Sequence, residues 1–117
     1  MTLPEQPRRR RHFDDELDAL QDKLLEMAGI VEELVRIAVR SLERRDPKAS
    51  EWAKTEDDRV DELEIEIDER AMDLLALQQP MARDLRQVVA TLKAANDLER
   101  VGDHAVNISK AVRRMVE

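Results

Sequence analysis

Phe13, Leu17, Leu20, Leu24, Met27, Val31, Leu34, Ala38 and Ser41 follow one another at alternating steps of four and three residues. A period near 3.5 sustained over that distance is a helical stripe, because a strand would repeat every second residue. A second apolar set, Ile30, Val35, Ile37, Val39 and Leu42, widens the face towards the C-terminal end of this stretch. The first helix is therefore expected to pack on two neighbours there. Gly29 interrupts it at a cost of about 1 kcal/mol relative to Ala, and its expected role is to permit close helix approach.

Asp46 and Pro47 read as an N-cap followed by proline in the first turn of a second helix. That helix carries Ala49, Trp52, Val60, Leu63, Ile67, Leu74 and Leu77 on one side. It should end near Gln79, since Pro80 disfavours helix in the residue before it. A third helix is expected from about Met81, with Leu85, Val88, Leu92, Ala95, Leu98, Val101, Ala105, Ile108, Val112 and Met115 inward. Met27, Met72, Met81 and Met115 fall at core spacing and read as packing. Short connections make neighbouring helices antiparallel. The expected fold class is all-α, an elongated antiparallel three-helix bundle over residues 13–117, each helix about 50 Å long. Residues 1–12, with two prolines, the run Arg8 to Arg11 and no apolar periodicity, read as a disordered basic arm. Helical sequence runs up to Glu117, so the natural protein is expected to continue.

Composition narrows the function. Only 2% of residues are aromatic, 42% are hydrophobic and 40% charged, which suits amphipathic helices better than sheets. No apolar run approaches the roughly 18 residues that span a bilayer, and no apolar leader is present. The expected setting is cytoplasmic, without membrane insertion. The absence of cysteine excludes disulfides and thiolate metal sites. Net charge is −7, and Lys48 to Asp73 holds eleven acids against four bases. Such a segment repels nucleic acid and favours cations.

The acids have a pattern. Asp57 and Asp61 are four apart, as are Glu99 and Asp103, so each pair shares a helix face. Each lies roughly 100° from the core stripe of its own helix, at the flank of the bundle. Asp61 is 19 residues before Pro80 and Glu99 is 19 after it; Asp57 and Asp103 are each 23 away. Equal distances from the turn of an antiparallel hairpin mean equal height, so four carboxylates would meet at one level of one groove. Gly102 beside them has no side chain to fill the space. Hard oxygen donors suit Fe, Mn, Mg or Ca, and carboxylates also ligate zinc. Acid pairs at this spacing are also common on solvated faces, and the matched heights bring the two readings level. His104 points away from Asp103 and reads as a surface residue, while Asn96 and Asn107 lie nearer the acid face. There is no Gly-rich phosphate loop, no HExxH and no Glu-x-x-His, so catalysis is not expected.

Residues 76–86, AlaLeuGlnGlnProMetAlaArgAspLeuArg, and 97–108, AspLeuGluArgValGlyAspHisAlaValAsnIle, resemble the PhoU family of phosphate-transport regulators. Residues 57–68 resemble the helix that the family places before them. The resemblance implies a three-helix repeat, normally present twice in tandem, with dimers across the family. It implies Glu/Asp-x-x-x-Asp motifs that hold surface clusters of iron, or of zinc, magnesium or manganese, here mapping onto Asp57, Asp61, Glu99 and Asp103. It also implies a non-enzymatic adaptor between a phosphate ABC transporter, through its ATPase subunit, and a sensor histidine kinase, keeping the starvation response off when phosphate is plentiful. This sequence holds one repeat, so a homodimer would rebuild the two-repeat body. A metal-binding or storage protein and a structural dimerisation module are the competing readings.

Overall fold

The computed structural model describes residues 7–78 and 82–117. They form α1 (Pro7–Arg44), α2 (Ala49–Gln78) and α3 (Ala82–Val116), and each helix packs on the other two. The result is a rod of 70 × 18 × 18 Å with a radius of gyration of 18.5 Å. A compact chain of this length would have about 13 Å. Three long helices with no crossing layer leave the core one side chain thick. The all-α, three-helix expectation holds, and no helix among the described residues is long and apolar enough to cross a membrane.

The stripe on α1 is buried along its length, from Phe13 to Ser41, with Leu24 partly exposed. α2 adds Val60, Leu63, Ile67 and Leu74, and α3 adds Val88, Ala95, Ala105 and Val112. The core is graded along the rod. Phe13, Leu20, Met27, Leu63 and Ile67 fill the half near the start of α1, whereas Ser41, Ser50, Ala53, Ala105 and Ser109 lie at the other end. Small residues there let the helices approach closely, and the buried hydroxyls are satisfied by their own helices. Ser41 Oγ donates to the Ala38 carbonyl at 2.7 Å and Ser109 Oγ to that of Ala105 at 3.3 Å.

The α1–α2 turn is built as read. Arg45 takes a left-handed conformation, with φ 52°, and the Asp46 amide donates back to the Ser41 carbonyl at 3.1 Å. That closes α1 in a Schellman-type cap, with Arg45 where glycine is usual. Asp46 Oδ1 then accepts from the Lys48 amide at 2.9 Å, capping the entry to α2.

Several expectations need correction. α1 starts at Pro7 rather than Phe13, so residues 7–12 of the expected arm are helical; residues 1–6 lie outside the described residues. The cause is a tertiary anchor: Arg10 reaches α3 and forms a two-pronged ion pair with the buried Asp84, one contact at 3.1 Å, while its guanidinium lies over the Phe13 ring at 5.8 Å. Trp52 is 74% exposed, and Ala53 takes the core position beside it. Of the methionines, Met27 is buried but Met72 and Met115 are exposed. Gly29 has open space around it, so no helix approaches there. The expectations for Gln79, Pro80 and Met81 lie outside the described residues.

On α3 the apolar positions divide. Leu85, Val101, Ile108 and Met115 are exposed, and Asp84, Thr91, Gly102 and Ser109 are buried in their place. Val101, Ile108 and Met115 join Val35, Val39 and Leu42 of α1 in an apolar strip along the α1–α3 groove, with His104 among them. The wide apolar face of α1 is therefore only half covered. Ile37 is buried, while its neighbours Val35, Val39 and Leu42 stay on the surface.

Candidate metal centre

α2 and α3 run antiparallel, and their flanks bring Asp57, Asp61 and Asp103 together with carboxylate oxygens all within 4.8 Å of one another. The height argument from the turn is thus met for these three. Glu99 is not one of the three; it stands close enough to Asp61 and to Glu64, one turn further along α2, for its charge to act on both. Sequence reasoning did not single out Glu64. The signal was available, since Asp57, Asp61 and Glu64 follow the same steps of four and three that make a stripe. The result is an acidic seam two turns long, with α2 contributing three acids and α3 two.

Gly102 shapes the inner wall of this seam. A Cβ there would lie 3.6 Å from Asp57 Oδ1, 3.5 Å from Leu34 Cδ1 and 3.7 Å from Val31 Cγ2. The glycine lets the Asp57 carboxylate lean in against the core, and Oδ1 is buried with no hydrogen-bond partner. A buried carboxylate oxygen without a donor is costly unless a cation meets it.

The electrostatics agree. Burial, followed by the charges of Asp61, Asp103, Asp58 and Glu99, pushes the Asp57 carboxyl up to about 6. Partial burial and the charges of Glu99, Asp103 and Asp58 raise Asp61, with Lys54 opposing them. Glu64 is raised well above the carboxylate range by burial and by the neighbouring Glu99 carboxyl, with Asp68 and Asp61 adding to the effect.

This donor set fits a hard cation. Two oxygens bound to one ion at roughly 2.0–2.6 Å are at most about 4–5 Å apart, which is the spacing of Asp57, Asp61 and Asp103. Asp57 Oδ1 supplies a desolvated, unsatisfied donor. The all-oxygen chemistry suits iron, manganese or magnesium.

Fold and site define an all-helical module whose concentrated chemical feature is an acidic groove between its second and third helices. Residues 24–112 match the PhoU domain, which takes in the whole seam. The chain belongs to the PhoU family. It is 38% identical over 107 residues to a phosphate-specific transport system accessory protein PhoU homolog of Clostridium acetobutylicum, covering 91% of this chain and 49% of that protein. A homolog of the same name from Caulobacter vibrioides is 39% identical over 107 residues, covering 92% of this chain and 46% of its own. One from Xylella fastidiosa is 40% identical over 100 residues, covering 86% and 41%. The chain spans about half the length of the curated relatives it matches.

Proposed function

We propose that this chain regulates phosphate uptake and the phosphate-starvation response, acting in the cytoplasm through binding rather than catalysis. The observation that carries the reading is the PhoU-domain match over residues 24–112, together with relatives named as accessory proteins of the phosphate-specific transport system. In this reading its partners are the ATPase subunit of a phosphate ABC transporter and a sensor histidine kinase. The acidic seam holds iron, or zinc, manganese or magnesium, at Asp57, Asp61 and Asp103, with Glu99 and Glu64 completing it. Such an ion would neutralise the mutual repulsion of the acids and tie α2 to α3 at mid-height. The exposed strip of Val35, Val39, Leu42, Val101 and Ile108 supports self-association, since apolar side chains gathered in one groove favour burial.

Deleting the gene tests the reading. Phosphate-starvation reporters should be switched on in phosphate-rich medium and restored by the wild-type chain. If the seam belongs to the contact surface, Glu99→Gln with Asp103→Asn should mimic the deletion while remaining folded. If it only braces the helices, that variant should regulate normally but lose stabilisation by metal, which acts on the folded state alone. A deletion strain with wild-type reporter behaviour at high and low phosphate would remove the reading and favour a metal-storage role.

A further inference from the structure

Within its acidic stretch α2 repeats a short unit: Asp61-Glu62-x-x-Ile65 is followed by Asp68-Glu69-x-x-Met72. The buried Val60, Leu63, Ile67, Ala71 and Leu74 fix the inner side of the helix, and the turn per residue puts Ile65 and Met72 on the outward side, each 60% exposed. Apart from Trp52 they are the only large apolar side chains that α2 exposes among the described residues. Acids border them on both edges. Asp61 and Asp68 stand on the edge towards α3, Glu62 and Glu69 on the edge towards α1, and Asp58 continues the row of Ile65. No base on this face answers them. Arg59 and Arg70 turn to the α1 side, where Arg59 pairs with Glu26 and Glu62, and Arg70 with Glu66. Lys54 stands before the first unit. Among the described residues Asp58, Asp68 and Glu69 are in no ion pair.

We propose that the outward face of α2 docks a basic amphipathic helix of a partner protein. Its apolar row would lie along Ile65 and Met72, and its lysines and arginines would meet Glu62, Asp68 and Glu69. Charge selects the occupant. Asp58, Asp61, Glu62, Asp68 and Glu69 share this face with no free base between them, so they attract a cationic partner and repel nucleic acid and anionic lipid. A second copy would bring a body of net charge −7 against the same row. The apolar pair selects a helix over a simple cation. A polyamine or metal ion would leave Ile65 and Met72 in water, and among the described residues no three of these acids gather as Asp57, Asp61 and Asp103 do. An apolar row bordered by charges of one sign is the arrangement by which paired helices choose a partner of opposite charge. Glu62, Asp68 and Glu69 lie outside that trio, so the proposal stands independently of the phosphate reading and of the metal.

The experiment titrates a fluorescein-labelled peptide, three repeats of Lys-Lys-Ala-Ala-Leu-Ala-Ala, with the whole chain and follows fluorescence anisotropy. Two peptides accompany it, one with each Leu replaced by Gln and one with each Lys replaced by Glu. The expected result is a saturable rise with the first peptide, at least threefold weaker binding of the Gln peptide, and none of the Glu peptide. Asp68→Lys with Glu69→Lys should weaken binding at least tenfold, and Ile65→Gln with Met72→Gln at least threefold. Asp15→Lys with Asp18→Lys makes the same charge change at exposed positions of α1 and should weaken it less than twofold. Circular dichroism establishes that each variant is folded; if the lysine variant is not, Asp68→Asn with Glu69→Gln takes its place with an expected loss of at least threefold. The proposal is overturned by no saturable rise, by equal binding of the Gln peptide, by unchanged binding to either folded α2 variant, or by an equal loss in the α1 variant.

Discussion

Gly29 and Gly102 occupy the same kind of helical backbone in opposite surroundings. Nothing lies within 4 Å of where a Gly29 Cβ would be, whereas Gly102 has core side chains and the Asp57 carboxylate at van der Waals distance. Gly29 thus carries the conformational cost of glycine with no packing return. Gly29→Ala should raise stability by about 1 kcal/mol, seen as an increase in the urea midpoint at unchanged slope. A lower midpoint would mean that the residue serves a contact absent from the isolated bundle. Sequence alone placed this glycine in the helix but misjudged its role, because close approach depends on a neighbour that hydropathy does not locate. The same limit hid Arg10. A residue in a basic run looks like a tail until its partner, a buried aspartate 74 positions away, is in view.

At the level of elements, α1 was legible almost residue by residue and α3 only in part. One-sided helices declare themselves, and α1 has a continuous apolar row facing both neighbours. α3 carries apolar residues on two edges, and several of its inward positions are small or polar, so hydropathy could not choose between them. Thr91 and Ser109 go inside because their hydroxyls bond to their own helix, at Gln87 and Ala105. The acidic seam was legible because spacing and height are backbone properties. The place of Glu64 in it was not singled out, because its acidic surroundings depend on Glu99 of the facing helix.

The seam also sets the direction of the pH response. Asp57, Asp61 and Glu64 hold protons more tightly folded than unfolded, through burial and the facing charges of Asp58, Asp68, Glu99 and Asp103. The folded state therefore binds more protons between the ordinary carboxylate range and about pH 6 or above, and stability falls as pH rises through that window. Asp84 acts oppositely. Its hydrogen bond to Arg10 lowers its carboxyl from the usual 3.8, so its contribution is present above that value and lost as pH falls below it. In chelator, melting temperature should be highest near the ordinary carboxylate range, about pH 4, and decline towards pH 8. Manganese or magnesium should stabilise more at pH 8 than at pH 5, because protons compete for the same oxygens. A melting temperature that is flat or rising from pH 5 to 8 in chelator would contradict the arrangement of the seam.

As a whole, the molecule is a rod with two chemically different grooves. The α2–α3 groove gathers acids, and the α1–α3 groove gathers Val35, Val39, Leu42, Val101 and Ile108. A bundle one side chain thick can bury a second layer only by acquiring more helices, and a second copy would supply them. If the strip pairs two copies, Val39→Glu with Ile108→Glu should leave the isolated bundle folded, since both positions are exposed, and abolish dimers that the wild-type chain forms. Light scattering at high micromolar concentration checks this. A wild-type chain that stays monomeric would assign the strip to another partner.

The grading of the core also has a dynamic consequence. Local opening is governed by how much apolar surface each segment loses to water. The end closed by Phe13, Leu20, Met27 and Ile67 has much to lose; the end closed by Ser41, Ser50, Ala53 and Ser109 has little. The bundle therefore breathes from the α1–α2 turn inwards. That end also bears the exposed Trp52 and the apolar strip, so the part of the rod best equipped to meet a partner is the part that can remodel around one.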